Sequence, residues 1–406
     1  MATPKRILIA GGGIAGPSCA LLLTRKGHKV TIVERAPQLR STGQQIDVSG
    51  LGTEIVKDMG IWQALRDRST GEEGLNIVDA SNKIIASFPV STDGGPNAFV
   101  KEIEILRGEM VDVLYQETKD NTEYVFGDYV TTLNEQATHI TASFAKAPDR
   151  DFDIVIAADG LFSQTRGLAF PKSTVEIKSL GQCGALMTIP WEEADGNQSR
   201  WLSVPGGRAV ITRPQFKAKK TGAYLAIMTP DSRKLARLPA QEQKEAFAEL
   251  FRDVGWETPR IIREMMKADD FYAQETAQAK TESWVKGRVA LLGDSGYCPS
   301  PVSGQGTTLA FIGAYVLAGC ISTHDDYAEA LKQYEQQMKP FVAKAQKLLP
   351  GVPGIANPQT EWGIWTLYTV LWVAGILNNW GVVGVVSRVL GPVASWFGSE
   401  LQLPKY

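Results

Sequence analysis

The feature that most constrains the fold is a glycine-rich turn in residues 6–34 (RILIAGGGIAGPSCALLLTRKGHKVTIVE). β-branched and apolar residues predict a strand, which is followed by Gly11, Gly13 and Gly16, an apolar helical pattern and a second strand. This order is typical of a dinucleotide-binding βαβ unit. Gly11 suits the tight turn, Gly13 the close approach of a pyrophosphate, and Gly16 the packing of helix against strand. Glycine turns also arise wherever a strand packs tightly on a helix, but the flanking strands favour nucleotide binding.

A carboxylate at the end of the second strand narrows the choice of nucleotide. Glu34 follows Gly16 by 18 residues, near the roughly 20 expected of the acid that accepts ribose hydroxyls. Such an acid repels a 2′-phosphate, so FAD or NAD fits best. The phosphates would lie at the helix N-terminus, beside Ile14 and Ala15, where free N–H groups and the helix dipole favour negative charge.

Composition argues against several other classes of protein. A net charge of −2 offers no basic field for nucleic acid. The four cysteines are scattered without a CxxC pair, and the three histidines stand near turns or polar surface, which argues against a metal site, a disulfide or a histidine triad. The basic start and short apolar run resemble a signal peptide, but the nucleotide motif explains that run better. We therefore expect a cytoplasmic protein with reduced cysteines.

The 406 residues are enough for two or three domains. Strand patterns of period two interrupt the first unit, and its character returns at residue 288 (RVALLGDSGYCPSPVSGQG). This interleaving predicts an α/β fold in which a Rossmann-like nucleotide-binding domain with a three-layer ββα architecture is interleaved with a β-sheet-rich substrate domain. The predicted nucleotide-binding domain comprises residues 1–74, 102–178 and 270–325. The substrate domain comprises residues 75–101 and 179–269, and residues 326–406 form a C-terminal helical segment.

The C-terminal segment is rich in tryptophan, valine, leucine and glycine between residues 363 and 397. Its uncharged run, residues 363–387, exceeds the roughly 18 residues of a membrane span. Asn378, Asn379 and Gly381 interrupt it, which predicts two apolar helices, each shorter than a bilayer is thick. A hydrophobic cap over the domain junction, attachment to a membrane surface and a dimer interface are the alternatives.

Two further motifs follow predicted strands. Asp159 and Gly160, in DIVIAADGLFSQTR, place a carboxylate and a flexible turn before a helix. Gly293 and Asp294 end the strand of residues 289–292, and a loop rich in proline and glycine then leads into a long helix. The carboxylate can accept sugar or ribityl hydroxyls, and the helix N-terminus can face a phosphate or a flavin carbonyl.

With these motifs in the order GGGIAG, AADG with SQTR, and GDSGYCPSPVSGQG, the sequence resembles the group A flavoprotein monooxygenases. These are the para-hydroxybenzoate hydroxylase-like FAD-dependent hydroxylases, and the chain is most similar to their tetracycline-oxidising and fungal secondary-metabolite branch. The resemblance covers residues 6–320, about three quarters of the chain.

The resemblance implies FAD bound without a covalent bond. Glu34 would meet the adenosine ribose, Arg107 the phosphate region, and Asp294 the ribityl chain. Asp159 would lie near both the flavin and the nicotinamide cofactor, or would simply fix its turn. The full set of cofactor-binding residues that it implies is Gly11, Gly13, Ile14, Ala15, Gly16, Glu34, Arg35, Arg107, Asp159, Gly160, Asp294, Pro301, Gly304, Gly306 and Thr307.

The family's chemistry implies that NADPH or NADH reduces FAD without a nucleotide domain of its own, with Arg40, Gly43 and Gln44 as candidates for meeting it. Oxygen would then add to the flavin as a C4a-hydroperoxide, and one oxygen atom would pass to an electron-rich substrate. The sequence departs from the family where many members have histidine and asparagine, since Tyr297 and Thr308 stand there. No catalytic base can be named. Candidates near the flavin are Tyr297, Pro301 and Gln45.

The substrate pocket should lie between the flavin and the second sheet. Its candidate residues, for each of which ordinary packing or solvent exposure is an alternative, are Gln182, Trp201, Arg213, Phe216 and Tyr272 together with Gln45, Tyr297 and Pro301. A broad, mostly uncharged pocket suits a polycyclic substrate better than a small carboxylated ring.

Other functions share this fold. A Baeyer–Villiger or epoxidising enzyme and a non-catalytic FAD-binding protein are the alternatives to a hydroxylase. A flavin-dependent halogenase is disfavoured, because the chain has no WxWxIP run and offers only Ile189, Pro190 and Trp191.

Overall fold

The computed structural model describes residues 3–39, 43–90, 103–379 and 402–406. The strands are β1 (Arg6–Ala10), β2 (Lys29–Glu34), β3 (Gln45–Asp47), β4 (Gly74–Val78), β5 (Ile84–Pro89), β6 (Glu104–Leu106), β7 (Thr122–Phe126), β8 (Val130–Glu135), β9 (Ile140–Phe144), β10 (Arg150–Phe152), β11 (Ile154–Ala157), β12 (Val175–Pro190), β13 (Ser199–Val204), β14 (Arg208–Gln215), β15 (Lys220–Met228), β16 (Tyr272–Thr281), β17 (Val285–Lys286) and β18 (Val289–Leu291). The helices are α1 (Ala15–Arg25), α2 (Leu51–Asp58), α3 (Trp62–Asp67), α4 (Arg107–Thr118), α5 (Gln164–Ala169), α6 (Ser232–Leu235), α7 (Ala240–Leu250), α8 (Thr258–Met265), α9 (Asp294–Tyr297), α10 (Gly306–Thr323), α11 (Tyr327–Ala345) and α12 (Glu361–Asn379).

The first sheet has the strand order β17-β18-β11-β1-β2-β7 and is parallel except for β17. Ile7, Leu8 and Ile9 of β1 are fully buried, because α1 and α10 and the three-stranded sheet β10-β9-β8 share one core with this sheet. A strand buried on both faces is continuously apolar instead of alternating. The predicted α/β class is confirmed.

The register of this sheet places the three sequence motifs together. Ala10 of β1 pairs with Ala157 of β11, and Ala157 pairs with Leu291 of β18. The glycine turn and the pairs beginning at Asp159 and Gly293 follow these three strand ends. Ligands of open parallel sheets bind at such carboxyl ends, so the fold creates one shared site from segments far apart in sequence.

The second sheet has the order β16-β12-β15-β14-β13-β4-β5. Aromatic and aliphatic side chains of α7 and α8 cover one face of it and form a second core, to which Phe247, Phe251 and Ile261 belong. The 16-residue β12 pairs with both β15 and β16 and contains a bulge between Ser179 and Gln182. The predicted domain boundaries stay a prediction.

Helix α12 lies against the far end of the second sheet. Tyr368 and Leu371 pack on a small apolar cluster of β4 and β5. The Tyr368 hydroxyl donates to the Val78 carbonyl at 2.9 Å and accepts from the Ser203 N–H at 3.0 Å. The described part of the helix therefore covers part of this sheet, and the cap over the domain junction stays a prediction.

The other side of α12 is open to solvent, with Trp362, Trp365 and Trp372 more than half exposed. The described part of the helix extends to Asn379, and the predicted interruption of the apolar run stays a prediction. Gly381 lies outside the described residues. Membrane attachment and a dimer interface both stay predictions.

Within the described ranges, one helix, α10, is long and apolar enough by length and composition to cross a membrane. Because 78% of it is buried inside the protein, it is the central helix of the first core. Cys19, Cys183, Cys298 and Cys320 are all free and buried. The predicted cytoplasmic location stays a prediction.

Candidate active site

A cleft of about 740 Å³ opens at the carboxyl ends of β1, β11 and β18. All but one of the predicted cofactor residues line it, namely Gly11, Gly13, Ile14, Ala15, Glu34, Arg35, Arg107, Asp159, Gly160, Asp294, Pro301, Gly304, Gly306 and Thr307. The exception, Gly16, lies beneath the turn, where an added Cβ would stand 2.1 Å from the Gly11 carbonyl oxygen. The structure thus brings the three motifs to one site, while their individual roles remain predictions.

The glycine turn is held from both sides. Gly11 has a φ of +118°, and a Cβ there would stand 2.4 Å from the Ala158 carbonyl oxygen, so only glycine fits. The Glu34 carboxylate accepts hydrogen bonds from the N–H groups of Gly12 at 2.7 Å and Ala36 at 2.9 Å. Each carboxylate oxygen keeps further acceptor capacity, so Glu34 can both fix the turn and accept ribose hydroxyls.

Two helix N-termini face the same cleft. Neither α1 nor α10 has a side-chain cap or an acidic residue in its first turn within the described structure. Their first N–H groups lack helical partners and carry the positive end of the helix dipole. These N-termini are suited to a pyrophosphate at α1 and to a second acceptor, such as a flavin carbonyl oxygen, at α10.

Arg107 is a cation that lies close to the glycine turn. It begins α4, and its N–H donates to the Gln44 carbonyl at 3.0 Å. Its Nη2 lies 3.6 Å from where a Cβ on Gly13 would stand. A guanidinium at this point can pair with phosphate oxygens that approach Gly13.

Asp159 fixes the second motif. Its Oδ2 accepts from the Thr165 N–H at 3.0 Å, and its Oδ1 accepts from the Ser163 hydroxyl. Arg166, which lies in the helix that follows this turn, is buried and donates to the Ser295 carbonyl at 2.5 Å. Burial lowers the pKa of Arg166, although the charge of Asp159 opposes this. These contacts favour a turn-fixing role for Asp159 and tie the second motif to the third.

Asp294 begins α9 immediately after Gly293, whose φ is +68°. Its side chain is exposed to the interior of the cleft and has protein on its other sides. Burial raises the pKa of the Asp294 carboxyl, while contacts with Cys298 and the charge of Arg107 lower it. A carboxylate exposed on the wall of the cleft is well placed to accept hydrogen bonds from hydroxyl groups of a ligand.

Three predicted pocket residues are not among the described residues that line the cleft, and their roles stay predictions. Tyr297 is 1% exposed and its hydroxyl is 3.0 Å from that of Tyr334, because α9 turns it into the core beneath α10 and α11. Trp201 packs in the cluster under α12. Phe216 is 47% exposed and contacts the edge of Trp191.

The remaining predictions divide between the cleft and its supports. Gln45, Pro301 and Arg213 line the cleft. Gln182 accepts from the Thr276 hydroxyl at 3.0 Å and is not among the described lining residues. The Tyr272 hydroxyl donates to the Gln44 side chain and so supports the wall from behind.

The residues suggested for the reductant are only partly described. Gln44 lines the cleft, whereas Gly43 packs on the side chain of Arg107. Arg40 lies outside the described residues.

Sequence reasoning missed several lining residues. Asp47, Asp128, Tyr129, Gln274 and Ser300 all contact the cleft. A signal existed for Asp128, since a Gly-Asp pair follows β7 as another follows β18. The two prolines that flank Ser300 also indicated an unusual backbone, and its φ is +82°.

The residues present fit FAD. Gly304 and Gly306 would meet no described heavy atom within 4 Å if they carried a Cβ, so a flat ring can approach this loop closely. A cleft of about 740 Å³ lies in the upper part of the roughly 300–1,000 Å³ range of small-molecule sites. The carboxylates, the uncapped helices and Arg107 match the hydroxyl groups, carbonyl oxygens and phosphates of that cofactor.

Comparison with known proteins agrees with this geometry. The family model of an FAD binding domain matches residues 5–348. The FAD-dependent monooxygenase asL6 of Sarocladium schorii is 32% identical over 99% of this chain and 98% of its own. The monooxygenase CTB7 of Cercospora beticola is 34% identical over 99% and 97%.

Solved structures show the same fold. The tetracycline destructase Tet(55) has a TM-score of 0.81 at 29% identity and covers 100% of both chains. HpxO of Klebsiella pneumoniae, solved with FAD and uric acid, has a TM-score of 0.76 at 20% identity, over 97% and 96% of the chains. The chain therefore belongs to the FAD-binding-domain family and, within it, to the group A flavoprotein monooxygenases.

Proposed function

We propose that the protein uses NADPH or NADH and O2 to oxygenate an electron-rich, polycyclic organic substrate. One observation carries this proposal. The cleft runs without interruption from Glu34 and Arg35, at the nucleotide end, to Gln45 and Arg213 beside the second sheet. A substrate bound at that end would lie next to the ring system of the cofactor. Tetracycline destructases, which share the fold, are named for a polycyclic compound.

Bound FAD would supply the oxygen-activating chemistry, and the chain's own groups would hold and shield it. Glu34 would bind the ribose, the α1 N-terminus and Arg107 the pyrophosphate, and Asp294 the ribityl hydroxyls. The second sheet, backed by α7 and α8, would exclude water from the reacting end of the cleft. The oxygen-transfer route that the family resemblance implies stays a prediction.

Purified holoenzyme, incubated with NADPH or NADH, isotopically labelled O2 and a panel of polycyclic compounds that includes tetracycline, tests this function. We expect substrate-stimulated oxidation of the reductant and one labelled oxygen atom in the product. A hydroxyl, an epoxide or an inserted ester oxygen distinguishes the hydroxylating, epoxidising and Baeyer–Villiger reactions. The small carboxylated ring para-hydroxybenzoate is the control and should stimulate little oxidation.

Two results would contradict the proposal. A preparation without flavin would exclude the cofactor assignment. Retained flavin without any stimulated oxidation or labelled product would instead support a non-catalytic FAD-binding protein. Comparing NADPH with NADH in the same assay identifies the reductant.

A further inference from the structure

At the substrate end of the cleft, the guanidinium of Arg213 lies beside carboxylates of the described chain. The Arg213 Nε donates to Glu72 Oε2 at 3.1 Å, and its Nη2 lies 3.0 Å from the same oxygen. Nη2 also pairs with Glu104. The side chains of Glu72 and Glu104 are 2% and 10% exposed, so both charges are held away from water. The positive charge of Arg213 is therefore already compensated inside the protein.

Asp47 adds a third carboxylate to this cluster. The pairing of β3 with β6 sets Asp47 directly opposite Glu104, and like charges opposite each other in an antiparallel pair repel. Asp47 lines the cleft, and its charge acts on Arg213. Since Glu72 and Glu104 already pair with Arg213, a ligand carboxylate would gain little attraction from this guanidinium and would meet repulsion from their charges.

Gln45 provides an independent sign of a ligand. Its Nε2 donates to the Thr70 hydroxyl at 3.0 Å and to Glu72 Oε2 at 3.2 Å. An ionised carboxylate only accepts hydrogen bonds, which fixes the amide nitrogen toward Glu72 and leaves the amide oxygen on the other side. Gln45 is 5% exposed and lines the cleft, and its Oε1 has no hydrogen-bond partner in the part of the chain that is described.

A buried acceptor without a donor is unfavourable until something donates to it. The segment that carries Gln45 is held firmly, because the Gln45 N–H donates to the Tyr224 hydroxyl at 3.2 Å and Tyr272 bonds the neighbouring Gln44. The acceptor therefore has a defined position at the wall of the cleft.

We propose that this end of the cleft selects a substrate group that donates hydrogen bonds, a hydroxyl or a protonated amine, and rejects carboxylates. Gln45 Oε1 is the acceptor, and Glu72 and Glu104 are positioning residues that also neutralise Arg213. The inference rests on the proposed function, since it assigns the substrate class of the same cleft.

Three probes that carry one ring system test this selection: naphthol, naphthylmethylamine and naphthoate, substituted at the same position. Each is titrated into the FAD-loaded protein, and binding is followed by the change in the visible flavin spectrum. We expect naphthol and the amine to bind at least about tenfold more tightly than naphthoate. Equal affinities, or no spectral change with any probe, would overturn the proposal.

Single substitutions distinguish the effect of the Gln45 acceptor on binding from the effect of the Arg213 charge. Glu72→Gln should shift the ratio of affinities toward naphthoate by about tenfold, because it frees part of the Arg213 charge. Gln45→Met should weaken naphthol by about tenfold and leave naphthoate unchanged. Glu73→Gln is the matched control, since it removes the same charge from an exposed neighbour that does not line the cleft. An equal effect of Glu72→Gln and Glu73→Gln on the ratio of affinities would contradict the proposal, because it would show that long-range charge alone sets that ratio.

Failure of this inference is distinguishable from failure of the proposed function. FAD content and reduction by NADPH are measured on the same preparations and test the proposed function. Normal values for both, together with equal binding of the three probes, would contradict only the further inference. If Glu72→Gln fails to fold because it breaks a buried ion pair, Gln45→Met still decides whether the acceptor is used.

Discussion

Replacing Gly13 with valine is expected to abolish FAD retention while the protein stays folded. An added Cβ at Gly13 would meet only Arg107 Nη2, at 3.6 Å, an ordinary contact. The branched side chain would instead fill the space before the α1 N-terminus that a pyrophosphate must enter. We expect the Kd for FAD to rise at least about 100-fold, or about 2.7 kcal/mol. Flavin released by denaturation and the thermal unfolding of the apoprotein measure the two effects.

Two other glycines provide controls for Gly13→Val. Gly16→Val should abolish folding itself, since its Cβ would stand 2.1 Å from the Gly11 carbonyl oxygen and 3.2 Å from Ile9. Gly255→Val should change neither property by more than about 0.5 kcal/mol, because a Cβ there meets no described atom within 4 Å. If Gly13→Val kept normal flavin content, the pyrophosphate would lie elsewhere and the assignment of the turn would be wrong.

The sequence could indicate the cofactor end of the cleft because its signals are local. A glycine turn, a carboxylate at a strand end and a loop before a helix each occur within a few residues, and parallel strands place such ends on one edge. Gly11 illustrates this. Its φ of +118° favours glycine, so the glycine itself indicates an unusual turn in the sequence.

The substrate end could not be predicted in the same way, because its residues meet only through long-range pairing. Glu72, Glu104 and Arg213 come from three separate segments, and nothing near any of them in sequence indicates the other two. Trp201 is not among the described residues that line the cleft, for a similar reason. It has the composition expected of a pocket wall, but its strand lies at the end of the sheet that α12 covers.

Asp294→Asn is expected to stabilise the empty protein at neutral pH and to weaken FAD binding. Burial raises the pKa of Asp294 in the folded state above its unfolded value of about 3.9. The folded protein thus holds the proton more tightly, so stability falls as pH rises from about 3.9 through the folded-state pKa. Asparagine does not ionise, so it removes this pH-dependent loss of folding stability. It also replaces a carboxylate that would accept ribityl hydroxyls, and we expect FAD affinity to fall about 10- to 100-fold.

The measurement compares unfolding of the two apoproteins between pH 4 and 8, together with FAD titrations at pH 8. The advantage of Asp294→Asn should be largest at pH 8 and disappear near pH 4. Asp153→Asn is the matched control of opposite sign. Partial burial opposes the shift, but hydrogen bonds and the charge of Arg6 lower the pKa of Asp153, so its loss should destabilise the protein at neutral pH and leave flavin content unchanged. Reduced stability of the Asp294→Asn apoprotein at pH 8 would show that this carboxylate supports the fold and would remove the reason to place it on the cofactor.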